Sequence, residues 1–154
     1  MIILRSRKLY FVSPNPDLWK EVIEPQIPKN FLTRREIIDN RLPRIQLFRN
    51  VSDAISGKYL DETPEKKLTV YEAIGLRKEN LVKLEMQDVP YGHLLEEWWY
   101  LVTMRARKVV DIELSGKILK TKDYHYGARQ TTAKLKFWEW KEILKPWEKS
   151  RLPG

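Results

Sequence analysis

A run of consecutive apolar residues near the start of the chain predicts its first strand. Residues 9–12 are all strand-forming types without polar alternation, and the run stops at a Ser-Pro-Asn-Pro sequence at 13–16. An apolar run of this kind is typical of a strand that is buried on both faces. We therefore expect this strand, placed at residues 3–12, to lie inside a sheet with later strands beside it.

Alternating apolar and polar residues predict further strands along the chain. Residues 67–74 alternate most clearly. The other predicted strands cover residues 43–48, 81–86, 96–102, 107–114 and 131–137. Because strands outnumber helices, the predicted fold is a single α+β domain over residues 1–154 with a mainly antiparallel sheet.

Few segments have the pattern of a helix. Asn50 or Ser52 can cap a short helix at 51–56, and Gly57 is its expected end. The other helical expectations are one or two turns at 17–23, a short helix at 34–40 and a terminal helix at 138–147. A Ser-Gly-Lys sequence at 115–117 predicts a turn.

The composition is that of a soluble globular protein. Hydrophobic residues make up 42% and charged residues 32% of the 154, and no apolar run approaches the roughly 18–20 residues that a membrane span needs. The chain has no cysteine, which excludes a disulfide scaffold, a thiolate nucleophile and a cysteine zinc site. The first residues lack a signal-peptide pattern. We therefore expect a cytoplasmic protein with no membrane partner.

The positive charge is concentrated in the last third of the chain. The net charge is +8, and residues 103–154 carry 13 lysines and arginines against six acids. A one-sided positive field favours an acidic partner such as nucleic acid or an acidic protein surface. The alternative is that these charges serve solubility.

Aromatic residues are interleaved with the cations of this last third. Cations can pair with phosphates while aromatic faces stack on bases, and the same residue types anchor protein partners. The alternative for the tryptophans is that they pack a terminal helix onto the sheet. The candidate contact residues are Tyr126, Arg129, Lys134, Lys136 and Trp138.

Candidate catalytic residues are few. His93 and His125 are far apart in sequence and have no metal-ligand spacing, so we expect no metal site. Glu96 and Glu97 directly precede two tryptophans, and a carboxyl beside aromatic surface can have a raised pKa and act as an acid or base. The alternative is that the two carboxyls lie on a solvated edge.

In their order, these segments resemble a family of small uncharacterised phage and prophage proteins. The resemblance runs from Leu9 to Trp140 and so covers most of the chain. It rests on Leu9-Tyr10 with Ser13-Pro14, Pro25, Ile27-Pro28 with Asn30 and Thr33, Pro43-Arg44-Ile45, Val51-Ser52-Asp53-Ala54-Ile55, Val70-Tyr71-Glu72, Trp98 or Trp99, Ser115-Gly116, Tyr126-Gly127, Ala133-Lys134-Leu135 and Trp138-Glu139-Trp140.

That family is in turn similar to ADP-ribosyltransferases. The resemblance implies a split, mainly antiparallel sheet with an NAD site formed by the first strand, the strand and helix at 43–55, and the tryptophan strand. It implies Tyr10, Ser13 and Ser52 at the nicotinamide ribose and Glu97 as the catalytic carboxylate.

Two departures from the family pattern favour binding over catalysis. Phe11 stands where the family commonly has histidine, and the four residues after Trp99, at 100–103, include no glutamate. Our leading hypothesis is a non-catalytic phage-type accessory protein in the host cytoplasm, without a cofactor. It would bind, and could inhibit, a host or anti-phage-defence protein, or bind nucleic acid. The alternative is an ADP-ribosyltransferase that uses NAD to modify a protein or nucleic acid.

Overall fold

The first apolar run forms an interior strand of the sheet, as the sequence predicts. Strand β1 (Tyr10–Ser13) pairs antiparallel with β3 (Ile45–Phe48) on one side and with β4 (Lys67–Ile74) on the other. The computed structural model describes residues 8–14, 21–28, 42–60, 62–126 and 131–143. Apolar clusters lie on both faces of the sheet, with Val12 in one and Leu9 in the other. This explains the absence of polar alternation in the run.

The remaining described strands extend the sheet in both directions. Next to β3 lies β6 (Glu97–Tyr100), followed by β5 (Leu81–Lys83) at the edge. On the other side, β4 pairs with the long strand β7 (Met104–Tyr126), which also pairs with β2 (Val22–Ile23) and β8 (Thr131–Ile143). All of these pairs are antiparallel, and the strands form one domain with a single described α-helix, α1 (Val51–Lys58).

The sheet is almost divided between β1 and β3. These two strands share one residue pair, Tyr10↔Phe48, whereas β1 and β4 are in register at four positions. Beyond that one pair the two strands diverge. The hydrogen-bonded ladder between β1 and β3 is therefore short.

Two predicted elements differ from the observed ones at their glycines. Helix α1 continues through Gly57 to Lys58, and its cap is the Asn50 side chain, which accepts the Asp53 N–H. No reversal occurs at 115–117, because Gly116 has a φ of +82° and lies in a bulge of the continuous strand β7.

The predicted terminal helix is wrong over residues 138–143. This part of the chain belongs to β8 and pairs with β7 down to Asp111↔Ile143. The physical reason is the alternation of aromatic and charged residues, which suits a pleated strand better than a helix. Residues 144–147 lie outside the described residues.

Near the N-terminus, Val22 and Ile23 form β2 instead of the end of a helical turn. The predicted strand at 81–86 is shortened to Leu81–Lys83, whereas residues 67–74 form β4 as predicted. Residues 15–20 and the predicted helix at 34–40 lie outside the described residues. No described helix is long and apolar enough to cross a membrane.

Candidate functional site

A cavity of about 880 Å³ lies where β1 and β3 diverge. Phe11 and Ser13 line it from β1, and Ile45 and Gln46 line it from β3. The segment 21–28 passes along it, starting beside β7 and reaching β3 through the bridge Gln26↔Arg44. The end of α1 lines the cavity as well. The volume lies in the usual range for small-molecule sites, about 300–1,000 Å³.

Glu97 is a buried carboxyl in the lining of this cavity. Its Oε1 accepts hydrogen bonds from the Tyr91 hydroxyl at 3.0 Å and from Gln46 Nε2 at 3.2 Å. Its Oε2 accepts one from Trp99 Nε1 at 2.9 Å. Burial raises the pKa of Glu97 above 4.5, although the three donors and nearby Arg44 oppose that shift. The expectation of a carboxyl with a raised pKa among aromatic rings therefore agrees with the structure at Glu97.

Arg44 brings a positive charge close to this carboxyl. Its guanidinium carbon lies 3.8 Å from the centroid of the Trp99 ring, and Nη1 donates to the Leu42 carbonyl at 3.2 Å. The backbone of Arg44 is fixed by two hydrogen bonds of 3.0 Å with Gln26. Since Arg44 is only 4% exposed, its charge acts on the cavity at low dielectric.

Lys58 places a second cation beside β1. Its Nζ donates to the Val12 carbonyl at 2.8 Å and lies 3.8 Å from the centroid of the Phe11 ring. Both Lys58 and Phe11 line the cavity. A cationic donor therefore lies beside Phe11 at the wall of the cavity.

Tyr59, the residue after α1, lines the cavity and carries a hydroxyl. This hydroxyl is buried and has no hydrogen-bond partner among the described residues. Burial, with Glu65 and Glu62 nearby, raises the pKa of Tyr59. An unsatisfied buried hydroxyl costs about 1–3 kcal/mol.

The structure brings together two of the four residues that the resemblance assigns to an NAD site. Ser13 and Glu97 line the same cavity. Tyr10 and Ser52 instead line a second, more open cleft of about 570 Å³ near the start of α1.

The predicted contact residues in the last third lie on the hairpin of β7 and β8. Lys134, Lys136 and Trp138 occupy alternate positions of β8 and so point to one side of it. We call this side the outer face. Both lysines are exposed and Trp138 is half-buried. Lys134 pairs with Asp123 at 2.9 Å. Tyr126 ends β7, and Arg129 lies outside the described residues.

Sequence reasoning assigned no role to Arg44, Lys58 or Tyr91. Arg44 and Tyr91 each stand beside a turn-forming residue, Pro43 and Gly92. A Cβ at Gly92 would lie 2.1 Å from the Met86 carbonyl oxygen, so the turn that presents Tyr91 requires glycine. The adjacency of Tyr91 to Gly92 was the one signal in the sequence that could have indicated Tyr91.

The two histidines lie near each other in the fold, although they are far apart in the sequence. The rings of His93 and His125 are 6.4 Å apart between centroids. Within the described residues, no group of three or more histidine, aspartate or glutamate side chains could hold a metal ion.

The cavity thus combines a buried carboxyl, two cations, aromatic faces and an unsatisfied hydroxyl. Comparisons of the chain with protein-family models, curated proteins and solved structures found no match.

Proposed function

We propose that the cavity binds NAD and that the protein transfers ADP-ribose from it to a protein or nucleic acid. The observation that carries this proposal is that Ser13 and Glu97, which the resemblance assigns to separate motifs, line one cavity. The three strands implied for an NAD site, β1, β3 and β6, are also consecutive neighbours in the sheet.

The lining residues suit a nicotinamide nucleotide. Phe11 is half-buried and offers aromatic surface for a planar ring at the cavity wall. Lys58 and Arg44 supply positive charge for phosphate oxygens or ribose hydroxyls. Lys58 in particular places a donor beside Phe11, which itself cannot hydrogen-bond.

Glu97 carries the chemical role in this proposal. NAD supplies an ADP-ribosyl group: its bond from the ribose carbon to nicotinamide breaks as an acceptor nucleophile bonds to that carbon and releases a proton. When ionised, Glu97 puts a negative charge where positive charge develops on the ribose, and it can accept a hydrogen bond from a ribose hydroxyl. Tyr91, Gln46 and Trp99 hold the carboxyl in place.

The test is transfer of label from radioactive NAD to macromolecules of a bacterial extract, compared between the wild type and Glu97→Gln. We expect the substitution to lower the rate by about 10²–10³-fold, the size of a lost electrostatic stabiliser. The matched control is Glu96→Gln. Glu96 forms a surface ion pair with Lys83 at 2.9 Å, so its loss should leave the rate unchanged.

Two results would contradict the proposal. One is a wild type that neither labels the extract nor binds NAD in calorimetry. The other is equal labelling by the wild type and Glu97→Gln.

A second candidate function is partner binding without catalysis, as a phage-type accessory protein that acts on a host macromolecule. The observation that favours it is the outer face, where two exposed lysines and Trp138 alternate along β8. The partner would be nucleic acid or an acidic protein, including a factor of anti-phage defence.

The outer face is tested by affinity purification from bacterial cells at low salt, with and without nuclease. We expect Lys134→Glu combined with Lys136→Glu to weaken capture about tenfold or more and to flatten its salt dependence. Lys66→Glu combined with Lys67→Glu changes the net charge equally on another exposed part of the chain and should have little effect. Equal loss of capture in both double variants would mean that net charge, and not the outer face, explains the binding.

A further inference from the structure

We propose that the second cleft binds a segment of single-stranded nucleic acid, with a base on its aromatic wall and phosphates on Lys120 in its lining and on Lys122 beside it. This inference goes beyond the NAD cavity and does not depend on it. The cleft has a volume of about 570 Å³ and lies between α1, β1 and the β7–β8 hairpin. Its lining includes Tyr10, Phe137 and Trp140 together with Arg49 and Lys120.

The aromatic wall is the first part of the argument. Phe137 is buried, whereas Tyr10 and Trp140 are half-buried, so parts of two aromatic side chains remain accessible at the cleft. Stacking of a base on such a face contributes about 1–3 kcal/mol and tolerates any base. Three aromatic side chains exceed what a simple anion would need.

The cations stand where a phosphate backbone would pass. Lys120 is exposed, and its Nζ lies 4.6 Å from the centroid of the Phe137 ring. Lys122 follows two residues later, on the same side of β7 as Lys120, and is also exposed. Arg49 is 56% exposed, and its Nε is oriented by a 3.0 Å contact with Asp53.

The charge balance of the cleft favours a polyanion. Asp53 is the one acid among its described lining residues. It is buried, and it already accepts from Arg49 and, at 3.4 Å, from the Asn50 amide. The combination of stacking faces with adjacent lysines therefore fits a nucleotide chain better than an acidic peptide, which needs the lysines alone.

The cleft is separate from the two sites already described. The beginning of α1 lines the cleft, whereas its last residues, with Tyr59 after them, line the NAD cavity. Lys120 and Lys122 are in register with Phe137 and Leu135, which are buried on the side of β8 opposite to the outer face. Substitutions of Lys120 and Lys122 can therefore be compared with substitutions in the cavity and at Lys134 and Lys136.

The experiment is fluorescence anisotropy of the full chain with a labelled 12-nucleotide DNA of mixed sequence, as single strand and as duplex, at 50 and 200 mM salt. We expect the single strand to bind more tightly than the duplex. Lys120→Glu with Lys122→Glu should weaken binding at least tenfold and lower the slope of log K against log salt by about 1.4, or 0.7 for each lost phosphate contact.

Two further variants separate stacking from charge. Trp140→Leu should weaken single-strand binding by about 5- to 50-fold, and Trp140→Phe should restore most of it because the ring is kept. The far-ultraviolet circular dichroism of each variant checks that it is folded. Lys134→Glu with Lys136→Glu should leave the affinity for the single strand within about threefold of the wild type.

Three outcomes would overturn the proposal. The first is no binding of the single strand by the wild type. The second is loss of binding in the Lys134/Lys136 variant but not in the Lys120/Lys122 variant. The third combines two results: polyglutamate at equal charge concentration competes with the single strand, and Trp140→Leu binds the single strand as well as the wild type does. Together they would mean that the surface binds any polyanion by charge alone. Failure of NAD binding, in contrast, leaves this site intact.

Discussion

Glu97 shows how one residue can serve both the packing of the protein and the chemistry proposed for it. Its carboxyl is 1% exposed, and both oxygens accept hydrogen bonds from side chains. Removing a carboxylate from water is costly, which is why burial raises its pKa despite the donors around it. The protonation of Glu97 is therefore coupled to folding.

This coupling predicts how stability depends on pH. Because the pKa in the folded state lies above 4.5, the contribution of Glu97 is fully present below about pH 4.5 and is lost as pH rises through the folded pKa. Between pH 4.5 and 8, the wild type should lose free energy of unfolding relative to Glu97→Gln, as measured by urea denaturation.

Glu96→Gln is the control for this measurement, since Glu96 lies at the adjacent position of the chain and pairs with Lys83 near the surface. Its difference from the wild type should stay small over the same range. A constant difference between the wild type and Glu97→Gln at every pH would show that Glu97 has the same pKa in the folded and unfolded states.

Sequence reasoning reached Glu97 but missed the residues around it, for a physical reason. Glutamate beside tryptophan is a local pattern that a reader of the sequence can find. Gln46 contacts Glu97 across 51 positions, and Lys58 contacts the Val12 carbonyl across 46. Such contacts follow from strand pairing, which local composition does not encode.

At the scale of elements, α1 depends on a close approach to the sheet. A Cβ at Gly57 would lie 2.3 Å from Cζ of the buried Phe48 ring. This explains why a glycine lies within the helix and does not end it. The helix packs closely on β3 at this point, and its last turn is thereby directed toward the cavity.

We therefore predict that Gly57→Ala destabilises the protein by about 1–3 kcal/mol, the usual cost of overpacking a core. The measurement is the free energy of unfolding in urea. The matched control, Ser56→Ala, places alanine at the neighbouring helix position, where the buried hydroxyl has no partner among the described residues. It should leave the protein at least as stable as the wild type, because it removes a buried hydroxyl that has no partner in the part of the chain that the structure describes.

Adding Phe48→Leu to Gly57→Ala should make the combined cost smaller than the sum of the two single costs, because the smaller side chain makes room. Strictly additive costs would mean that the ring and the new methyl group do not meet.

The elements with local signals were predicted best. β4 was predicted with its observed bounds, and β3 has a short alternating run after Pro43. The hairpin was divided in the prediction because Gly116 is a turn signal, whereas the structure uses its positive φ within a bulge. A local reading cannot distinguish these two uses of glycine, since the partner strand decides between them.

At the scale of the whole molecule, two kinds of surface are kept apart by α1 and the sheet. The cavity lies where β1 and β3 diverge, and the exposed lysines of the last third lie on the β7–β8 hairpin. The concentration of charge was evident from composition. The two sides of the hairpin and the position of the cavity were not, because both depend on the order of strands in the sheet.

That order also has a consequence for the newly made chain. β1 is synthesised before its main partner, β4, which follows more than 50 residues later, and β2 pairs with β7 about 80 residues further on. At roughly 5–20 residues per second of synthesis, the apolar run of β1 spends seconds without its neighbours. Pairings at such separations also slow folding. The strand residues of β1 and β2, which wait for their partners, are therefore the ones most exposed to incorrect pairing during synthesis.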